Sequence, residues 1–258
     1  VRSAPSGNGS RLAPWTMNFI GIDLAWGNRN PTGLAHLVSG DAGCRLVSSA
    51  RRTTDTEILD WVKARGGDHV WLGIDAPIIA KNPPGTSRPA DKMVSARFGR
   101  YHAGAYPANR IRCERPIRLC RKLRRRGFSS NPLLPGRGGR RQLEIFPHLV
   151  QVAFFERPRI IKYKKGPVAV RQTGLADFQT AIGTHLTRQD PPLLPSPELS
   201  RLLDDDPREL RGSALKSLED RLDALLCAYM AVYFQAWGVT RCEVIGDHAE
   251  GYIIAVRS

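Results

Sequence analysis

The sequence predicts an α/β protein built on a mixed β-sheet with helices packed against it. Three short apolar segments, residues 18–24, 34–38 and 44–50, are joined by turn-rich stretches, which indicates an antiparallel meander. A helical segment, 54–64, and another apolar strand, 69–75, follow directly. Because a strand–helix–strand connection joins parallel strands, we expect the fourth strand to lie parallel to a neighbour in the same sheet.

A capping box marks the start of the helix predicted for residues 54–64. Thr54 is followed three residues later by Glu57, so each side chain can bond the other's backbone N–H. The pair Gly66-Gly67 then ends the helix before the next strand begins. The sequence therefore sets both ends of this crossover element.

Residues 80–141, approximately, are predicted to form a basic insertion. Five prolines within residues 76–109 predict a loop there. Residues 114–127 are predicted to form a basic helix with a thin apolar stripe. The remaining predicted elements are a strand at 142–146, helices at 147–155 and 170–186, a polar connector at 190–207, a long helix at 213–237, and short strands at 242–245 and 252–256.

The composition predicts one domain in a reducing compartment. Residues 1–16 are rich in Ser, Gly, Pro and Arg and are expected to be a disordered tail, with a single domain at 17–258. No apolar run reaches the roughly 20 residues that span a bilayer, so no membrane partner is expected. Five cysteines without a CxxC pair favour a cytoplasmic protein over a disulfide or zinc framework.

Positive charge is concentrated in the insertion. The formal net charge is +15, and thirteen basic residues between Arg88 and Arg126 face only Asp91 and Glu114. Clustered positive charge favours a polyanionic partner, most simply nucleic acid. The alternative is that an arginine-rich composition places arginine wherever a surface permits it, but the clustering favours a phosphate-binding surface.

Four carboxylates lie at the edges of apolar segments. Asp23 and Asp75 end predicted strands, Glu144 lies within another, and Asp223 lies where the long helix becomes apolar on all sides. A carboxylate at the edge of a core is costly unless something positive neutralises it, and several together raise one another's pKa. Because Mg²⁺ and Mn²⁺ bind oxygen ligands of this kind, a metal-dependent site is the leading hypothesis.

Each acid also has an ordinary structural explanation. Asp23 suits an Asx turn, Asp75 could merely end a strand, and Glu144 could face solvent from a strand. Asp220, three residues before Asp223, shares a side of the helix with it, yet an acid in an early helical turn also favours the helix dipole. Taken together, the five acids favour a common site.

Six short segments carry a family resemblance and occur in order along the chain. They are Phe19-Ile-Gly-Ile-Asp23, Gly73-Ile-Asp75-Ala-Pro77, Arg88-Pro-Ala-Asp91, Glu144-Ile-Phe-Pro147, Lys162-Tyr-Lys164 and Asp220-Arg-Leu-Asp223-Ala. Over about residues 18–256 the chain resembles domain-of-unknown-function family 429, which is regarded as predicted nucleases of the RNase H-like fold. The first and last segments also look like the matching segments of Holliday-junction resolvases.

The resemblance implies an RNase H-like sheet and a metal site. By this likeness Asp23 and Asp223 would hold metal with Asp220 as a helper, while Asp75 stands where a resolvase has a longer glutamate. The mechanism expected is hydrolysis of a phosphodiester by two Mg²⁺ or Mn²⁺ ions, bridged by Asp23 and flanked by Asp75, Glu144 and Asp223.

The substrate expected for such a site is the backbone of DNA or RNA. Arg88, Lys162 and Lys164 are candidates to bind the phosphates, and the basic helix would follow the backbone without reading sequence. His148 is expected to be a surface or packing residue. The predicted function is therefore a metal-dependent nuclease.

Two other functions remain open from the sequence. A non-catalytic nucleic-acid-binding protein could keep the fold and the charge without the chemistry. An ATP-binding enzyme of the actin and sugar-kinase type is also conceivable, because residues 21–27 superficially resemble its phosphate loop. Against the latter, the chain is short for a two-lobed clamp and has no second glycine-rich phosphate loop.

Overall fold

The computed structural model describes residues 17–257, and its centre is a six-stranded mixed sheet. The strands are β1 (Met17–Asp23), β2 (Thr32–Gly40), β3 (Gly43–Arg52), β4 (Val70–Ile74), β5 (Arg140–Glu144) and β6 (Leu193–Leu194). Their spatial order is β5-β4-β1-β2-β3-β6. β1, β2 and β3 are antiparallel neighbours, whereas β4 and β5 continue parallel to β1. The predicted α/β class, with an RNase H-like meander followed by parallel strands, is confirmed. The tail predicted to be disordered, 1–16, lies outside the described residues.

Seven α-helices and a two-stranded sheet complete the described part of the chain. They are α1 (Asp55–Gly66), α2 (Pro89–Phe98), α3 (Glu114–Arg124), α4 (Pro147–Phe154), α5 (Val168–His185), α6 (Pro197–Asp204), α7 (Gly212–Trp237), β7 (Cys242–Asp247) and β8 (Gly251–Val256). The predicted capping box of α1 is present. α2 and α6 lie in segments that the sequence indicated as loop and connector. Both begin with a proline, which is favourable at the first position of a helix but also typical of loops.

Three glycines allow α7 to lie directly on one face of the sheet. Gly21, Gly33 and Gly73 lie in the neighbouring strands β1, β2 and β4, and a Cβ at any of them would meet backbone atoms of α7. Larger side chains would hold the helix away from the sheet. Because of this close packing, the early turns of α7 reach the carboxyl ends of β1 and β4.

Gly21→Ala is therefore expected to destabilise the protein by about 3 kcal/mol, since the added methyl group overlaps the Ala224 carbonyl oxygen. Urea denaturation measures the change. Gly40→Ala is the control, because nothing lies within 4 Å of a Cβ there, and it should be close to neutral. Equal stability of the two variants would contradict backbone contact between α7 and the sheet.

α1 and α3 cover the opposite face. His36 pairs with Ile20, so its side chain lies on the face of the sheet away from α7. There the His36 ring contacts the ring of Trp61 in α1, with centroids 6.4 Å apart. Gln142 of β5 donates a hydrogen bond of 3.1 Å to the carbonyl of Cys120 in α3. The sheet is thus enclosed between helices on both faces.

The basic helix α3 is fastened to the core through Arg115, which is 3% exposed. Its guanidinium donates to Asp55 Oδ1 at 3.1 Å, to the Thr53 carbonyl at 2.7 Å and to the Ala25 carbonyl at 2.8 Å. It also donates to the Gly27 carbonyl. Arg115 therefore ties the turn after β1 to the start of α1. Part of the basic cluster serves the fold rather than a partner.

Nine of the thirteen basic side chains between Arg88 and Arg126 are exposed. They are Lys92, Arg97, Arg100, Arg110, Arg112, Arg121, Arg124, Arg125 and Arg126. Arg88 and Arg115 are buried, and Arg118 and Lys122 bond Asp55. Most of the charge remains at the surface, as a polyanion-binding surface requires.

By length and apolar composition, residues Gly212–Thr240 could cross a membrane. Most of this segment is buried in the structure, where α7 packs on the sheet. Packing in the core accounts for its apolar surface.

Candidate functional site: an acidic cluster at the ends of β1 and β4

Two aspartates lie side by side at the carboxyl ends of adjacent parallel strands. Asp23 ends β1 and Asp75 follows β4, and the two strands pair in register at Ile22 and Ile74. The Asp75 N–H donates a hydrogen bond of 2.8 Å to the Ile22 carbonyl, which extends the parallel pairing to the acid itself. The strand register therefore brings these carboxylates together although 52 positions separate them.

α7 adds two more acids to the same place. Asp220 and Asp223 are 2% and 0% exposed. They lie on the turns of α7 that pack against the strand ends through the glycine contacts. Burial raises the pKa of Asp23 well above its usual range, and the charges of Asp223, Asp75 and Asp220 raise it further, whereas Lys164 lowers it. Four of the five predicted metal ligands thus share one electrostatic site.

The Asp23–Asp75 pair has a strong tendency to hold a proton or another cation. Burial raises the pKa of Asp75 to about 6, although Lys164 and a hydrogen bond from Asp23 work in the opposite direction. A carboxyl group donating to a neighbouring carboxylate is a sign that two acids are too close for both to be ionised cheaply. A divalent ion would relieve the same repulsion.

Lys164 reaches into the cluster from the segment between α4 and α5. Its ammonium lies 3.0 Å from Asp223 Oδ2 and 3.8 Å from Asp75 Oδ2. Burial lowers the pKa of Lys164, but the nearby carboxylates outweigh it and hold that pKa well above its usual range. The structure thus places Lys164, predicted as a phosphate ligand, among the acids themselves. Lys162, the other predicted lysine ligand, is exposed.

Tyr163 fixes the orientation of the Asp223 carboxylate. Its buried hydroxyl donates a hydrogen bond of 2.6 Å to Asp223 Oδ1 and accepts one of 3.2 Å from Gln151. The backbone of Lys162 packs directly against α5. This contact requires Gly174 of α5, because a Cβ at that position would overlap the Lys162 carbonyl oxygen. The Lys162–Lys164 segment is therefore held firmly against the site.

Cations of the protein already neutralise the outer side of the cluster. Asp220 contacts Lys216 Nζ at 2.7 Å and Arg51 Nη2 at 2.9 Å. Glu219, which is 2% exposed, contacts Lys216 at 2.5 Å and Arg171 at 3.2 Å. Asp220 therefore lies in the cluster as predicted, but both of its oxygens have cationic partners.

Glu144 does not join the cluster, contrary to the sequence prediction. It pairs in register with Ile74, so it alternates with Asp75 and projects from the opposite face. Its Oε1 accepts a bond of 2.6 Å from Arg88, and its Oε2 accepts bonds from Arg88 at 2.8 Å and from the Ile78 N–H at 3.0 Å. Glu144 is engaged in a buried ion pair.

Arg88 does not bind phosphate in this arrangement either. It is 1% exposed, and all five of its side-chain N–H groups have protein acceptors: Asp91, Glu144 and the Ile79 carbonyl. The two buried carboxylates raise the pKa of Arg88. Arg88, Asp91 and Glu144 form a structural triad, so the prediction of a phosphate ligand here was wrong.

His148 is a neighbour of the site that sequence reasoning set aside. Burial and the positive charge of Lys164 lower the pKa of His148 to about 4, whereas Asp223 acts against this shift. The imidazole is therefore neutral at pH 7, and its ring packs on Phe146 with centroids 4.9 Å apart. A lone histidine after a predicted strand, next to Pro147, was the only signal in the sequence.

The chemistry of the donors fits a divalent cation, but the present arrangement holds a lysine. Among residues 17–257, no three Asp, Glu, His or Cys side chains are spaced to enclose an ion as they stand. The buried Oδ2 atom of Asp223 accepts no hydrogen bond and has only the Lys164 ammonium at 3.0 Å. In this structure the Lys164 ammonium, not an ion, neutralises Asp75 and Asp223.

One comparison with known proteins gives a match. The model of a family described as "Protein of unknown function (DUF429)" matches residues 21–250, which include every residue of the acidic cluster. No curated protein and no solved structure matches the chain.

Proposed function

The chain belongs to the DUF429 family, and we propose that this member is a metal-dependent phosphodiester hydrolase that acts on nucleic acid. The observation that carries the proposal is the convergence of Asp23, Asp75 and Asp223, from two strands and a helix, at one edge of an RNase H-like sheet. Had these acids pointed to separate places, the hydrolase interpretation would have failed.

In this proposal Asp23, Asp75 and Asp223 hold Mg²⁺ or Mn²⁺. The ion, when bound, would lower the pKa of a water molecule and stabilise the leaving oxygen. The protein keeps Asp223 oriented through Tyr163, and a bound ion would favour the ionised forms of Asp23 and Asp75, whose pKa values burial raises. Glu144 is no longer part of the ligand set, because releasing it would break its buried pair with Arg88.

The exposed arginines of the insertion support nucleic acid as the substrate. Arg121, Arg124, Arg125 and Arg126 are exposed at the end of α3, and α3 is tied through Arg115 to the turn that follows Asp23. These arginines lie at the end of α3 away from Arg115, where the Arg126 carbonyl accepts a hydrogen bond from Arg140 at the start of β5. In this proposal a bound backbone would run the length of α3 to reach the turn after Asp23. Such contacts position a nucleic acid without reading its sequence.

A panel of labelled substrates tests the proposal. Branched, duplex and single-stranded DNA and RNA are incubated with Mn²⁺, with Mg²⁺ or with chelator, and cleavage is followed on a denaturing gel. Cleavage of at least one substrate that requires the metal is the expected result. The absence of cleavage from every combination would overturn the hydrolase proposal.

The cations within the cluster favour a second candidate, a non-catalytic binder. Lys164, Lys216 and Arg51 neutralise acids that a working metal site would leave open. Such a protein would bind the same oligonucleotides equally well in chelator and would cleave none of them. The substrate panel separates the two functions directly.

Lys164→Ala is expected to bind Mn²⁺ about tenfold more tightly than the unaltered protein. The ion and the ammonium compete for Asp75 and Asp223, so removing the ammonium leaves two carboxylates in need of a cation. Isothermal calorimetry without substrate measures the affinity. Lys162→Ala, in the same segment but exposed, is the control and should leave the affinity unchanged. Weaker Mn²⁺ binding by Lys164→Ala would contradict the competition.

A further inference from the structure

A narrow cleft beside the acidic cluster is lined on its outer side by aromatic rings. Asp75 forms part of its wall, together with Trp26, Tyr106 and Phe146. Its volume is about 60 Å³, which leaves room for about two water molecules but not for a nucleobase. Any base near this cleft must therefore lie outside it, on the rings at the rim.

Tyr106 is the ring most open to solvent. Its side chain is 64% exposed, it meets Trp26 edge-on with centroids 6.1 Å apart, and the Arg112 guanidinium lies 4.8 Å from its centroid. Arg112 covers only part of the ring. An exposed aromatic ring with an arginine beside it is the combination on which unpaired bases stack in single-strand-binding proteins.

The loop that carries Tyr106 is held by the buried triad. Asp91 Oδ2, which Arg88 orients, accepts a hydrogen bond of 3.0 Å from the Ala108 N–H. Arg112 also donates to the Pro107 carbonyl at 3.0 Å. The backbone that carries the ring is thus held in place, so no ordering of this loop is needed when a base stacks on the ring.

The segment that carries Trp26 is held in a similar way. Arg115 donates to the carbonyls of Ala25 and Gly27, which flank Trp26. The segments that carry Trp26 and Tyr106 are therefore both held by hydrogen bonds to buried side chains, and Asp75 lines the same cleft. Tyr106 is not part of the buried core, since it is 64% exposed and its ring contacts are those with Trp26 and Arg112.

We propose that Tyr106, supported by Trp26 and Arg112, is a stacking subsite for an unpaired base of a single-stranded nucleic acid bound at the acidic cluster. This inference rests on the proposed function and specifies its substrate class. A base in a duplex is stacked between its neighbours and cannot cover the ring, so single strands are favoured over duplexes.

Fluorescence anisotropy in EDTA tests the subsite without any cleavage. The probes are labelled twelve-nucleotide single strands of DNA and of RNA and a DNA duplex of the same length. Tyr106→Ala should bind both single strands about tenfold more weakly, at the lower end of the effect of losing one stacked base. Its affinity for the duplex should stay unchanged, and Tyr106→Phe, which keeps the ring, should bind like the unaltered protein.

Ile111→Ala is the matched control, because Ile111 is equally exposed in the same loop region but does not line the cleft. It should leave all affinities unchanged. An unchanged affinity of Tyr106→Ala for single strands, an equal loss for single strands and duplex, or no binding of any probe would each overturn the subsite. Binding that depends on Tyr106 together with a failed cleavage panel would reject the hydrolase and keep the subsite.

Discussion

Replacing Asp23 by Asn is expected to reduce metal-dependent cleavage by about a thousandfold. The charges of Asp75, Asp220 and Asp223 all raise the pKa of Asp23, so Asp23 interacts with each of the other acids of the cluster. A metal ion contributes several kcal/mol to the stabilisation of a phosphoryl-transfer transition state, and an amide holds a divalent ion much less strongly than a carboxylate. Single-turnover cleavage of the best substrate from the panel gives the change.

The same variant is expected to be at least as stable as the unaltered protein without metal at pH 7. Because the pKa of Asp23 is raised in the folded state, the folded protein binds the proton of this carboxyl group more tightly than the unfolded chain does. The unaltered protein therefore loses stability as pH rises above the usual value of 3.8 toward the raised pKa of Asp23, and the Asn variant lacks this contribution. Because Asp75 and Glu144 also have raised pKa values, the variant should lose less stability with rising pH than the unaltered protein does. Thermal melts in EDTA between pH 4 and pH 8 measure this difference.

Asp60→Asn is the control for this prediction, because Asp60 is an exposed acid of α1 far from the cluster in the fold. It should change neither cleavage nor the pH dependence of the melt. Full cleavage activity in Asp23→Asn would show that the acidic cluster is not the catalytic site, whatever nuclease activity the protein has.

Replacing Arg88 by Met is expected to destabilise the fold by about 3–5 kcal/mol. Asp91 and Glu144 would remain buried without their cation, and leaving one partner of a buried pair uncompensated is strongly unfavourable. Chemical denaturation measures the loss. If Arg88 instead served mainly to bind phosphate, the variant would lose substrate affinity and keep its stability.

Arg97→Ala provides a matched control for Arg88→Met. Arg97 lies on the same helix, α2, and also bonds a carboxylate with two N–H groups, that of Glu243 at 2.6 and 3.0 Å. Its side chain is 40% exposed, so solvent screens the pair and its loss should cost no more than about 1 kcal/mol. Similar losses for the two variants would contradict the structural role of the triad.

The sequence was informative wherever a pattern depends on neighbouring residues. The strand periodicity of 18–24 and 69–75, the capping box at Thr54 and Glu57, and the continuous apolar surface of α7 were enough to predict the mixed sheet and its helices. The same patterns placed Asp23 and Asp75 at strand ends. Because adjacent parallel strands end at the same edge, the proximity of these two acids followed from the fold.

Glu144 shows what the sequence could not determine. It lies at the end of β5 just as Asp23 lies at the end of β1, but its register with Ile74 instead of Asp75 turns its side chain to the other face. A shift of one residue in pairing reverses the face of every side chain in a strand. No local pattern fixes that register.

By itself the sequence predicted the α/β sheet, its antiparallel meander followed by a parallel strand, and the positions of Asp23 and Asp75 at strand ends. The tertiary structure alone decided that Lys164 lies among those acids and that Arg88 is buried against Glu144. The physical reason is that an ion pair between distant residues depends on the position and direction of two side chains in space. Periodicity, turns and caps report only what each segment does on its own.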